Sequence, residues 1–187
     1  DWLSLEDSKN EKTLFWEAYF IYDLDLMSKM ATILDKNEDA AEFSKLSRER
    51  KKFFNENYVD KVTGKTSFRG KMIDSQTSYV LPLAFHILDE NNIQKAAQHF
   101  ANTITRDNVT DQLVKCPPYS LLTGFIGTAW INKALSDLGK TDLAYRLIQQ
   151  ESYPSWLYPI KQGATTIWER LNSYTETDGF GSNNNMN

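Results

Sequence analysis

Apolar positions along this chain of 187 residues fall into alternating blocks of two kinds. Across residues 14–34 they sit on nearly every side of a helix. Phe15, Tyr19, Tyr22, Leu26 and Met30 make one stripe, and Trp16, Phe20, Leu24, Met27, Ala31 and Leu34 make another. A helix that is apolar all round is one buried by neighbours on several sides. It is therefore read as an inner helix, with Thr13 as its N-cap. After a turn at Lys36-Asn37, residues 38–58 keep Phe43, Leu46, Phe53, Phe54 and Tyr58 to one face and place Lys45, Arg48, Glu49, Lys51 and Lys52 on the other, the pattern of an outer helix. Residues 60–75 are polar, with Thr63-Gly64 and Arg69-Gly70 suited to turns, so a loop with a hairpin is expected.

The alternation repeats twice. Residues 76–88 are apolar and inner-like, with Pro82 expected to kink or delay the helix. Asn91 or Asn92 can cap an amphipathic helix reaching about Thr105, with Ile93, Ala96, Ala97, Phe100 and Ile104 inward. After Cys116-Pro117-Pro118, residues 120–138 are inner-like again and Gly139 stops them. Thr141 then caps a short outer helix over residues 142–150. Three inner–outer hairpins in succession, with no short sequence repeat, predict an all-α fold of the α/α toroid type. A ring of six hairpins would need about twice this length, so the chain reads as half of an (α/α)6 barrel.

Composition narrows the class. With 41% hydrophobic and 25% charged residues the chain is that of a folded globular domain. A net charge of −4 argues against a nucleic-acid partner, whose binders carry a basic stripe. No apolar run approaches the length of a membrane span, so no membrane insertion is expected. Cys116 is alone and forms no disulfide within the chain. Aromatic residues reach 13%, including five Trp and nine Tyr. Such rings enlarge a core, and they also stack on the C–H faces of sugars.

The chemistry concentrates in residues 153–187. There Gly163-Ala164-Thr165-Thr166-Ile167-Trp168-Glu169-Arg170 sets a carboxylate beside an indole and a guanidinium, between a Pro- and Trp-rich approach and a Gly/Asn-rich exit. Read locally, a Glu followed by an Arg near a helix start is an ordinary solvated ion pair. Against that reading, Ile167 and Trp168 place the carboxylate at the edge of a desolvated pocket, where a Glu can serve as a base, with Arg170 steadying it. Asp23 and Asp25 are expected to face loops or solvent, and Glu176 and Asp178 to lie in a flexible polar loop. His86 reads as a hydrogen-bonded core residue and His99 as exposed. Trp16 and Trp130 read as core, whereas Trp2, Trp156 and Trp168, on loops or helix ends, are open to a ligand role. Two separated His and one Cys make no metal constellation. No phosphate-binding loop, dinucleotide fingerprint or nucleophile elbow is present, so no cofactor is expected.

Four blocks in order carry a resemblance: Leu122-Thr123-Gly124-Phe125-Ile126-Gly127-Thr128, Thr141-Asp142-Leu143-Ala144-Tyr145-Arg146-Leu147, Tyr153-Pro154-Ser155-Trp156, and residues 163–170. Together they are similar to the α-L-rhamnosidases of glycoside hydrolase family 78. Asp1-Trp2-Leu3 resembles the family's Gly-Asp-Trp stretch, and the likeness is loose between residues 10 and 115. The resemblance implies an (α/α)6 barrel and inverting hydrolysis of terminal α-L-rhamnose from an oligosaccharide or glycoside. It implies that Glu169 is the general base and that Asp1, Trp2 and Trp168 bind the substrate, Trp2 lining the sugar pocket with Asp1 beside it and Trp168 walling the pocket or packing. The sequence departs from the family at Leu171, where an aromatic residue often follows the Arg. Inverting hydrolysis needs two carboxyl groups roughly 6.5–9.5 Å apart. Nothing before Glu169 matches the family's general acid, and a family His expected after the Asn-rich stretch is not in this sequence.

Residues 1–187 are therefore expected to form part of a catalytic barrel domain, with the remaining half of the parent barrel as a partner, and to be inactive alone. Another six-hairpin glycosidase with a different sugar, or a non-catalytic helical scaffold, are the alternatives. The family's habit of degrading plant glycans suggests an extracytoplasmic home, periplasmic or secreted.

Overall fold

The computed structural model describes residues 1–181, and the Asn-rich stretch singled out in the sequence lies largely outside them. The helices come as three successive pairs: α1 (Lys12–Ile33) with α2 (Asn37–Asn57), α3 (Gln76–Ala84) with α4 (Glu90–Thr105), and α5 (Phe125–Asp137) with α6 (Thr141–Gln149). A four-residue helix, α7 (Tyr158–Lys161), follows. Three two-stranded antiparallel hairpins fill the loops: β1 (Ser67–Phe68) with β2 (Lys71–Met72), β3 (Asn108–Val109) with β4 (Lys115–Cys116), and β5 (Tyr174–Thr175) with β6 (Gly179–Phe180). The described residues divide into two compact units. One comprises residues 11–74 and 78–99, the other residues 1–10, 75–77 and 100 onward.

In the first unit α1 and α2 form an antiparallel hairpin held by charge as well as by packing. Arg50 grips the buried Glu17 with two guanidinium nitrogens, and Asp25 accepts from Ser47 Oγ at 2.5 Å and Lys51 Nζ at 2.9 Å. Asp25 is therefore a bridge between helices, where a solvent-facing residue was expected. The cap of α1 is Glu11, whose carboxylate accepts from Thr13 N at 3.2 Å; Thr13 itself lies one residue inside the helix. The β1–β2 turn at Arg69-Gly70 forms as expected, with both residues at positive φ.

Three further readings of this unit change. The apolar encirclement of α1 predicts burial on several sides, yet Trp16 is 68% exposed and Met30 52% exposed. Trp16, Phe20, Met27, Met30 and Leu34 recur at helical spacing and make one open stripe. Leu14, Ala18, Ile21 and Leu24 make the buried one. His86 is exposed, because it takes φ +55° where the chain leaves α3 and turns its ring away from the apolar run around it. His99 is half-buried: its Nε2 lies 2.9 Å from Thr63 O and its ring stacks on Tyr79. Pro82 is accommodated inside α3, and α4 begins at Glu90, just before the Asn pair.

The second unit is tied together by its first ten residues. Glu6 is 2% exposed, and one of its carboxylate oxygens accepts from Gln76 N at 2.7 Å, the first residue of α3. The other accepts from Lys9 Nζ at 3.0 Å. Gln76 is fully buried, donates to Ser120 O at 2.9 Å and accepts from Leu122 N at 2.9 Å. Leu5 N donates to Leu122 O at 3.0 Å, and Leu5, Cys116 and Leu122 form an apolar cluster against which Tyr153 and Leu171 pack.

Two measurements check this arrangement. Burial raises the Glu6 carboxyl above its ordinary value of 4.5, an effect that Lys9 only partly offsets. The folded state thus holds the proton more tightly than the unfolded chain does. That contribution is complete below 4.5 and is lost as pH rises through the elevated value. Glu6→Gln keeps an acceptor for Gln76 N, so the melting temperature of wild type relative to this variant should fall from acidic to neutral buffer; parallel curves would remove the effect. Burial, reinforced by the charge of Glu6, also pushes the Cys116 thiol up to about 11. Cys116 should therefore resist a thiol reagent at neutral pH in the native protein and react fully in guanidinium. Full labelling of folded protein would contradict its placement.

Candidate active site

The segment that carries Glu169 is a loop, where the sequence suggested a helix start. Ser155 Oγ accepts from Tyr158 N at 3.1 Å and opens α7, with Pro159 in its first turn. Gly163 then takes φ +83° and ends the helix. The β-branched run Thr165-Thr166-Ile167 does not restart one. Below Glu169 the loop is rooted twice: Leu171 packs on the Leu5–Cys116–Leu122 cluster, and Ser173 donates from both N and Oγ to Arg170 O, at 3.2 and 2.9 Å. Trp168 is half-buried, set edge to face between Tyr158 at 6.4 Å and Tyr174 at 6.5 Å. Glu176 and Asp178 belong to the β5–β6 hairpin turn, where Asp178 N donates to Thr175 Oγ1 at 3.0 Å.

Glu169 is exposed, and among the described residues no donor is bonded to its carboxylate. It does not pair with Arg170, and it lies in the open and not in a desolvated edge. It borders a hollow of about 630 Å³. The floor comes from Thr123, Gly124 and Phe125 at the start of α5, with Leu3 beside them; Trp156, Trp168 and Leu171 make the wall. A second hollow of about 740 Å³ shares that wall, and it is lined by Asn132 and by Arg170. Asn132 Oδ1 and Arg170 Nε are buried polar atoms without a partner among the described residues. An acceptor and a donor left open in apolar surroundings are ready to meet a polar group.

Trp2 stands on a tight turn next to the first hollow. Ser4 N donates to Asp1 O at 2.9 Å and Leu3 takes φ +64°, the left-handed third position of a type II turn. The Trp2 ring is 68% exposed at the tip. Asp1, in contrast, points inward and is 6% exposed. Its Oδ2 accepts from Thr77 Oγ1 at 2.5 Å, Gly124 N at 2.7 Å and Gly127 N at 3.3 Å, and its Oδ1 accepts from Ile126 N at 2.9 Å. The structure thus brings Glu169 and Trp168 to one hollow, sets Trp2 on the turn beside it, and places the Asp1 carboxylate beneath the turn.

Sequence reasoning did not foresee the floor. Gly124 falls in a block that carried the resemblance, but nothing in a single sequence says that a Cβ there would come within 2.0 Å of Trp2 O. Thr77 gave no signal at all, and Leu3 entered only as the end of the Asp1-Trp2-Leu3 stretch. No three His, Cys, Asp or Glu side chains among the described residues are grouped to hold a metal ion. No helix there is long and apolar enough to cross a membrane.

Comparison with known proteins adds the family. The family model described as the bacterial alpha-L-rhamnosidase 6 hairpin glycosidase domain matches residues 1–187. An alpha-L-rhamnosidase of Formosa agariphila is 38% identical over 96% of this chain, which covers 18% of that protein. One of Streptomyces avermitilis is 36% identical, again over 96% of the chain and 16% of the protein. The crystal structure of the Streptomyces avermitilis enzyme complexed with L-rhamnose superposes with a TM-score of 0.83, covering 97% of this chain and 16% of that one. Native alpha-L-rhamnosidase from Aspergillus terreus superposes with a TM-score of 0.81 at 27% identity, covering 97% and 20%. The chain spans less than a fifth of the length of the curated relatives it matches. With a family model matched over its whole length, this chain belongs to the bacterial α-L-rhamnosidase six-hairpin glycosidase domain family.

Proposed function

We propose that residues 1–187 are part of the catalytic domain of an inverting α-L-rhamnosidase and that Glu169 is its general base. The observation that carries this is an unpaired carboxylate on the rim of an aromatic-walled hollow. A base must have its lone pairs free for the water it activates, and Glu169 has them free among the described residues. Inversion requires that water to attack the sugar from the face opposite the leaving oxygen, which a second carboxylic acid protonates roughly 6.5–9.5 Å away. Among the described residues no other carboxyl lines the hollow, so in this reading the acid is supplied by the longer protein.

In this reading Trp2 and Trp168 offer ring faces to the sugar, whose axial C–H bonds stack on indole while its hydroxyls stay paired. Trp168 is braced by two tyrosines and holds its angle; Trp2 is held through its backbone alone. The substrate is a glycoside with terminal α-L-rhamnose, supported by the relatives' activity and by the L-rhamnose bound in the Streptomyces avermitilis structure.

In the full-length protein, Glu169→Gln should lower kcat on p-nitrophenyl α-L-rhamnoside by about a thousandfold. The melting temperature should not move, since the side chain makes no bond here. Wild-type turnover by the variant would exclude Glu169 as the base. A wild-type protein active only on another glycoside would overturn the sugar assignment and leave the base standing. Residues 1–187 expressed alone should release no p-nitrophenol, having one half of the catalytic pair; measurable hydrolysis would show that both carboxyl groups lie within this chain.

A further inference from the structure

The Asp1 carboxylate accepts four hydrogen bonds, three of them from backbone N–H groups in the opening turn of α5 and the fourth from Thr77 Oγ1 on α3. A buried carboxylate so filled has little left to offer a ligand, and it borders neither hollow. What it does hold is the turn that carries Trp2. The Asp1 carbonyl accepts from Ser4 N, and the Trp2 carbonyl accepts from Phe125 N at 3.0 Å, within the same turn of α5 that the Asp1 side chain caps. Backbone meets backbone there: a Cβ on Gly124 would fall 2.0 Å from Trp2 O and 2.7 Å from Asp1 Oδ1. Leu3 is meanwhile kept at φ +64°, a conformation a leucine does not choose unaided. The result is a large ring open to water on a backbone tied to the start of α5.

We propose that Asp1 is a positioning residue: through the start of α5 it fixes the turn that carries the Trp2 ring, whose next residue Leu3 lines the Glu169 hollow, and it makes no contact with the sugar itself. This rests on the reading that Trp2 meets the substrate. Replacing the carboxylate with an amide leaves one acceptor and turns an N–H group toward backbone N–H groups, so the turn loosens while the catalytic base is untouched.

The test is a double-mutant cycle in the full-length protein, with kcat and KM on p-nitrophenyl α-L-rhamnoside and a melting curve for each variant. Asp1→Asn should raise KM about tenfold and change kcat less than about threefold. Trp2→Ala should raise KM at least as much. The Asp1→Asn effect should vanish when Trp2 is already Ala. Thr77→Val, which removes a single bond to the same carboxylate, should give a KM rise of about twofold to threefold, likewise absent in the Trp2→Ala background; it serves if Asp1→Asn does not fold. Additive effects on KM would mean that Asp1 touches the sugar or acts on stability generally, and would overturn the proposal. So would an unchanged KM in folded Asp1→Asn. If Trp2→Ala leaves KM at the wild-type value while Glu169→Gln is inactive, the role of Asp1 fails and the base assignment survives; if Glu169→Gln is fully active, the reading of the hollow itself has failed.

Discussion

A carboxylate taken out of water is tolerated only when its oxygens are met by donors, and a helix start supplies donors that have no partner within the helix. The site-bearing unit is assembled by joining these two needs. Asp1 fills the opening turn of α5 and Glu6 fills that of α3, both from one short segment at the start of the chain. Each join is favoured by the positive end of the helix dipole as well as by the hydrogen bonds. Gln76 adds the third tie, carrying the start of α3 across to Ser120 and Leu122 just ahead of α5. Residues far apart in sequence are thereby held in register by a handful of buried polar groups, around which the apolar cluster of Leu5, Cys116 and Leu122 closes.

The site inherits its rigidity from that framework. The floor of the Glu169 hollow is the start of α5, so whatever sets that helix start sets the floor. The wall is a loop without regular structure, and its order comes from elsewhere: Leu171 is sunk in the same apolar cluster, and Trp168 is clasped by Tyr158 and Tyr174. Glu169 stands between these two anchors with its carboxylate in the open. A loop so rooted gives an exposed side chain both an anchored backbone and access to water, which helix or strand interiors do not combine. Leu171 provides its anchor with an aliphatic side chain.

Much of the helical plan was legible because it rests on periodicity. The inner–outer alternation named all three helix pairs, and Gly139 and Arg69-Gly70 marked a stop and a turn through their backbone needs alone. The misreadings share a cause: they concern which neighbour a side chain meets, and that is a property of the fold. Asp25 looked like a surface acid until α2 placed Ser47 and Lys51 beside it. His86 looked like core because its neighbours are apolar, and a single positive φ turns it outward. Around the Glu169 hollow, the Trp-Glu-Arg sequence announced itself, whereas Gly124 and Thr77 are ordinary letters whose roles come from meeting the first residues of the chain, far away in sequence.

The open stripe on α1 bears on how this stretch behaves when handled by itself. Trp16, Phe20, Met27, Met30 and Leu34 present one long ridge of large apolar side chains to solvent, a surface that soluble monomers rarely leave uncovered. A solution of the excised chain is then a colloid whose particles each carry an adhesive seam. Its useful concentration range and its tolerance of salt should follow that seam, since salt strengthens apolar association.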